Sequence, residues 1–157
     1  MNRQLAAAME VLSRERPVFH SEADFQHALA WQLHKQRPEG LVRLEYLLSV
    51  ALDTDRRQGH YDVVLLEDGH MVVVELKYKK APFLGTVAGE FYFLKGDGAQ
   101  DQGRYDFPKD VTRLEEVVSR GKSAGYAILL TNDSLYGQLP ISSTTTTTAV
   151  ITRHSVT

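Results

Sequence analysis

The chain has 157 residues, 43% of them hydrophobic and 24% charged, with a formal net charge of −2 and no cysteine. That length and apolar fraction suffice for one domain with a proper core, taken here as residues 1–157, and leave little for a second. The near-neutral balance excludes bulk, histone-like binding to polyanions, and the missing thiols exclude disulfides and thiolate zinc sites. No apolar run approaches a membrane span and no charged-then-apolar segment opens the chain, so a cytoplasmic protein with no membrane partner is expected.

Residues 2 to about 14 are alanine-rich, with Leu5, Met9 and Leu12 at helical spacing, and predict a first helix stopped by Pro17. Ser21-Glu22-Ala23-Asp24 reads as a capping box that opens a second helix, running to about Lys35 before Arg37-Pro38-Glu39-Gly40 breaks it. At 100° per residue Glu22 falls on the side of Leu29 and Leu33, so its carboxylate is expected to face inward. Complementing the helix dipole is its simplest role. Leu41 to Leu52 reads as a first strand, although its leucines also suit a helix, and Glu45 within it as an exposed polar residue. Asp53 to Gly59 reads as a polar turn, with Arg56 and Arg57 in solvent by default and phosphate contact as the alternative.

His60 to Lys80, HYDVVLLEDGHMVVVELKYKK, then predicts the β-hairpin around which the chain is organised. Asp68-Gly69 between two runs of Val and Leu is the signature of a two-residue type I′ turn, which needs positive φ at both central residues. That turn sets Glu67 against His70, Val64 against Val73, Asp62 against Glu75 and His60 against Lys77. Alternation puts Lys77 on the side of Glu75. Like charges directly opposed are destabilising, so two facing acids need a counter-charge. A divalent cation with carboxylate, water and phosphate ligands is one solution, and Lys77 alone is another. Val63, Leu65, Val72 and Val74 on one face and Val64, Leu66, Met71 and Val73 on the other argue for a covered strand pair, where polar groups are costly. Lys79 and Lys80 follow, with Lys79 on the carboxylate side, as a local cationic patch for phosphates, a solvated strand end being an equal explanation of Lys80.

Residues 82 to 105 hold five glycines and the run Phe91-Tyr92-Phe93, a length that suggests a functional segment or a further hairpin. Its aromatics suit either base stacking or core packing. Gln100, Gln102, Arg104 and Tyr105 are expected near the carboxylates, because a loop leaving the third strand beyond Lys77 starts at their edge. A helix is expected from Asp106 or Phe107, with Pro108 in its first turn and Gly121 as terminator. Its buried face would be Phe107, Val111, Leu114 and Val118, opposite a solvated stripe of Lys109, Arg113, Glu116 and Arg120. Gly125 to Asn132 predicts a covered strand parallel to the third. The tail 133–157, with five consecutive threonines at 144–148, predicts an edge strand or a flexible end, and His154 a surface residue.

Asp62, twelve residues, then Glu75-Leu76-Lys77 resembles the signature of the PD-(D/E)XK nuclease superfamily, the restriction-endonuclease-like phosphodiesterases, with Tyr61 where the name has proline. The predicted order over residues 21 to 132 is similar to that superfamily's α/β fold, an αβββαβ core with a central mixed four-stranded sheet flanked by helices. The resemblance implies metal-dependent hydrolysis of nucleic acid, DNA being the expected substrate. It implies a Mg²⁺ (or Mn²⁺) cofactor held by Asp62, Glu75, the carbonyl of Leu76 and Glu22, with Lys77 stabilising the transition state or accepting a proton. Lys79, Lys80, Gln102, Arg104 and Tyr105 become candidates for contacting nucleic acid, and a homodimer or larger assembly is possible. Gln102-Gly103-Arg104-Tyr105 is one residue short of the QxxxY pattern of some branches. Because fold does not fix function, a non-catalytic nucleic-acid-binding or protein-interaction module on the same fold is the alternative.

Overall fold

The structure, a computed structural model, describes residues 2–51, 56–97, 100–119, 123–133, 143–144 and 147–153. Side chains are described for 3–48, 59–97, 109–119 and 124–133. The elements in chain order are α1 (Asn2–Glu15), α2 (Glu22–Gln36), β1 (Leu41–Ala51), β2 (Arg56–Glu67), β3 (His70–Lys79), β4 (Phe83–Val87), β5 (Glu90–Leu94), α3 (Gln100–Val118), β6 (Ser123–Thr131), β7 (Ser143–Thr144) and β8 (Thr147–Arg153). α2 starts as its sequence demands: the Ser21 hydroxyl accepts from the Asp24 N–H at 3.1 Å.

The architecture is α/β. One mixed sheet runs β1-β2-β3-β6-β8-β7, with β4 and β5 paired separately. β1, β2 and β3 are mutually antiparallel, whereas β6 lies parallel to β3 and β8 parallel to β6. The expected four strands form β1-β2-β3-β6. The threonine-rich tail widens them, since β-branched Thr147 to Arg153 pairs along Gly125 to Thr131. The tail thus supplies this edge of the sheet, as one of its two expected forms, with the two-residue β7 pairing only along Thr147 and Thr148 of β8. Among the described residues no helix is long and apolar enough to cross a membrane.

Both faces of the sheet are covered, and alternation along β3 shows how. Val72, Val74, Leu76 and Tyr78 pack with Val63, Ile128 and Leu130 against Leu5 and Leu12 of α1 and Phe25, Leu29 and Leu33 of α2. Val73 packs with Val64, Ala127 and Leu129 against Val111, Leu114 and Val117 of α3. Each such aliphatic side chain contributes ~1.5–3 kcal/mol by leaving water. The hairpin turn is as predicted: Asp68 and Gly69 have φ of 50° and 72°, and Glu67↔His70 through Val63↔Val74 are paired.

Three expectations fail. β2 begins at Arg56, so Arg56 to Gly59 extend the strand, opposite Ala51 to Leu48, instead of turning. α3 begins at Gln100, not at Asp106, and carries Pro108 in its interior, where one helical hydrogen bond is forgone. Gln102, Arg104 and Tyr105 thus stand on its first turns rather than in a loop; their side chains, like Phe107, Arg120, Gly121 and His154, lie outside the described residues. The segment after β3 does form its own hairpin, one of the two outcomes expected of it, turned at Ala88 and Gly89 with positive φ. There Tyr92 and Leu94 are buried with Val18, while Phe91 and Phe93 face solvent. The third failure is the side on which the far end of β2 presents its residues, and β1 changes side with it. Val42, Leu44, Val63 and Leu65 pack on the α1–α2 side, yet Tyr46, Leu48 and Tyr61, of the same parity, pack on the α3 side. Between them Glu45 has φ 49° and the facing Glu45 and Asp62 drop out of the ladder. The ribbon rolls over at this step.

Candidate active site at the open end of the hairpin

The roll takes β2 away from β3. Their pairing stops at Val63↔Val74, but β3 continues to Lys79 with β6 on its other side. The β3 backbone groups that faced β2 are then without partners, and buried backbone donors must find some. Two carboxylates take them. Asp62 Oδ2 accepts from the Leu76 N–H at 2.5 Å, and Glu22 Oε2 accepts from the Tyr78 N–H at 2.8 Å. Because a strand residue's N–H and C=O point the same way, the Leu76 carbonyl opens on the same fork. The carbonyl of Asp62 is capped by the buried Gln26, whose Nε2 donates to it and to Glu45 Oε1, each at 2.7 Å. Gln26 is one turn after Glu22 on the inward face of α2, a spacing that sequence alone could have flagged.

Glu75 lies beside Asp62 with only 3% of its surface exposed. Burial pushes its carboxyl up to about 8, and the neighbouring Asp62 adds to this by charge and by a hydrogen bond that needs the proton. Arg113 of α3 opposes the shift and pairs with Glu75. The same guanidinium lies 3.7 Å from Asp110 and over the Tyr61 ring, 5.0 Å from its centroid. Asp110 in turn stands 3.6 Å from the Lys77 ammonium. Burial pulls Lys77 down, but Glu22, Asp110, Asp62 and Glu75 outweigh it and hold the lysine above its ordinary value. Burial also raises Glu22 and Asp110 against the attraction of Lys77.

The predicted Asp62, Glu75, Leu76, Lys77 and Glu22 are therefore brought together. Two expectations about the site are corrected. His60 does not face Lys77: it follows the rolled strand, pairs with Leu47 and places Nδ1 3.1 Å from the Glu45 carbonyl. Arg113 is not on a solvated stripe but turns inward, and Asp110 with it. Asp110, Arg113, Leu114 and Val117 make a 3-1-3 inward stripe that a start at Phe107 obscures. Lys79 is half-buried and acts on Glu22, whereas Lys80 is engaged with Asp97 at 3.6 Å and lies over the Tyr78 ring.

Four carboxyl groups (Glu22, Asp62, Glu75, Asp110) converge with two cations (Lys77, Arg113), so full ionisation leaves an excess of two negative charges. The donor set is all oxygen, without thiol or imidazole, which fits Mg²⁺ or Mn²⁺ rather than zinc. Asp110 Oδ2 is buried without a hydrogen-bond partner. Among the described residues no group of three or more acidic or histidine side chains is arranged to hold a metal ion as it stands. No family model, curated protein or solved structure matches the chain.

Proposed function

We propose that the protein is a metal-dependent nuclease that hydrolyses phosphodiester bonds of nucleic acid, DNA in the first instance, on a PD-(D/E)XK-like domain. The observation that carries this reading is the fork in β3, where Asp62 and Glu22 cap successive outward N–H groups beside the buried Glu75 and the charged Lys77. Burying so many carboxyl groups in one place is costly unless a counter-charge or chemistry requires it. Asp62, Glu75 and the carbonyl of Leu76 would hold Mg²⁺ or Mn²⁺, with Glu22 at its margin. The cation would supply the neutralisation and water activation of metal-ion catalysis.

The chain's own groups do the rest. Asp62 is fixed by the Leu76 N–H and Gln26 holds its backbone, so the carboxylate is aimed before substrate arrives. Lys77, kept protonated by its acidic neighbours, donates to the phosphate or the attacking water and offsets the charge gathering on phosphorus. That raised value favours a charge-stabilising lysine over a proton-accepting one. Asp110 holds the ammonium in place. The test is nicking of plasmid or single-stranded DNA: cleavage should require Mg²⁺ or Mn²⁺ and fall at least 100-fold in Asp62→Ala and Lys77→Ala, the scale of losing one electrostatic catalytic group. Binding of nucleic acid by the wild type with no cleavage in Mg²⁺ or Mn²⁺, or cleavage that persists in chelator or in both variants, would defeat this reading.

One observation favours a second reading. Arg113 already neutralises Glu75, and an arginine permanently in that position would make the same fork a non-catalytic module that binds nucleic acid or protein without metal. Cleavage assays in chelator and in Mn²⁺ separate the two.

A further inference from the structure

Arg113 makes an uneven use of its side chain. Nη2 meets both Glu75 and Asp110, while Nε is buried with no acceptor. Structural arginine–carboxylate pairs gain most from two parallel bonds in fork geometry, and here Nε takes no part in one. Its anchors also differ in depth: Glu75 is 3% exposed and Asp110 15%, whereas Arg113 is 41% exposed. The group therefore reaches from the solvent boundary down to the carboxylate that the proposed cation needs. The Tyr61 ring beneath it gives a planar cation a surface to move across.

We propose, resting on the nuclease reading above, that Arg113 is a phosphate-binding group stored on Glu75. A divalent cation reaching Asp62 and Glu75 takes over the neutralisation of Glu75 and repels the guanidinium. Asp110 keeps the released group at the rim of the fork, beside Lys77. There its unused N–H donors match two oxygens of a phosphodiester, the bidentate geometry that lysine cannot reproduce. The exchange trades the Glu75–Arg113 pair for a cation on Glu75 and a phosphate on Arg113, and any proton that Glu75 still carries passes to solvent.

Full-length wild type, Arg113→Gln and Arg113→Lys are compared in two measurements: Mn²⁺ affinity by calorimetry, and affinity for a short DNA oligonucleotide in Ca²⁺. Arg113→Gln should bind Mn²⁺ about tenfold tighter, since nothing has to be displaced, and DNA about tenfold weaker, with the salt slope reduced by about one contact. Arg113→Lys, which keeps a cation on Glu75 and guards against loss of folding, should bind Mn²⁺ like wild type and DNA only partly. Mn²⁺ binding that is unchanged or weaker in Arg113→Gln would overturn the storage role and make Arg113 a buttress for Glu75. Tighter Mn²⁺ with unchanged DNA affinity would overturn the phosphate role. Absence of Mn²⁺ binding in all three proteins would instead sink the nuclease reading itself, and this inference with it.

Discussion

At the turn end of the β2–β3 hairpin, Val63 to Glu67 and His70 to Val74 pair residue for residue, and the side chains from Val63 to Leu66 and Met71 to Val74 are apolar on both faces. At the other end the same two strands part, and the residues there are Asp62, Glu75 and Lys77. Where the ladder is closed, each backbone group is satisfied by its partner strand, so side chains are free only to pack. Where it opens, orphan N–H groups attract carboxylates, and the carboxylates then require cations. Chemistry collects at the end where the sheet is incomplete.

A carboxylate moved to the closed end breaks this contrast most severely. Val64 is fully buried among Val73, Leu114 and Leu129, so Val64→Asp should cost more than about 4 kcal/mol in urea denaturation and leave the chain largely unfolded. A milder effect comes from pH. The Glu75 carboxyl rises from an ordinary 4.5 to about 8 in the fold, so the native state keeps a proton that the unfolded chain has lost between those values. Stability contributed by this group must therefore fall as pH rises from about 4.5 to 8 and level off above, a change on the order of a few kcal/mol at most. Glu22 and Asp110, also raised, act in the same sense. Thermal melts of metal-free protein should show that decline, and Glu75→Gln should flatten it and melt higher than wild type at pH 9. Asp62→Ala leaves the Leu76 N–H without its acceptor and should cost ~1–3 kcal/mol, whereas Asp62→Asn, whose amide oxygen can still accept, should cost less by chemical denaturation. The smallest effect belongs to the turn. A methyl at Gly69 meets nothing within 4 Å, so Gly69→Ala should lose only the ~1–2 kcal/mol of left-handed strain at φ 72°.

Local rules made the closed end legible. Asp68-Gly69 specified the turn, the turn specified the register, and period-2 alternation assigned Val63, Val64, Val73 and Val74 to their faces correctly. The 3.6-residue period likewise turned Glu22 inward. The open end was legible only in part, because its shape depends on a rotation at Glu45, a residue type that seldom adopts positive φ and gives no composition cue. That rotation sent His60 to β1 and freed the N–H groups of Leu76 and Tyr78. Arg113 and Asp110 were missed for a different reason: charged residues on a helix default to solvent, and only the burial of Glu75, distant in sequence, draws them in. Threonines 147 and 148 read as tail because their partner, β6, is recruited by tertiary packing rather than by a neighbouring turn.

The claim under all of this is that the parted strands accept a divalent ion between Asp62 and Glu75. A crystal soaked in Mn²⁺ and measured for anomalous scattering tests it most directly. The account expects one strong peak within coordination distance of both carboxylates and the Leu76 carbonyl, with Arg113 withdrawn from Glu75. A fork without anomalous density at saturating Mn²⁺, with Arg113 still seated on Glu75, would contradict it.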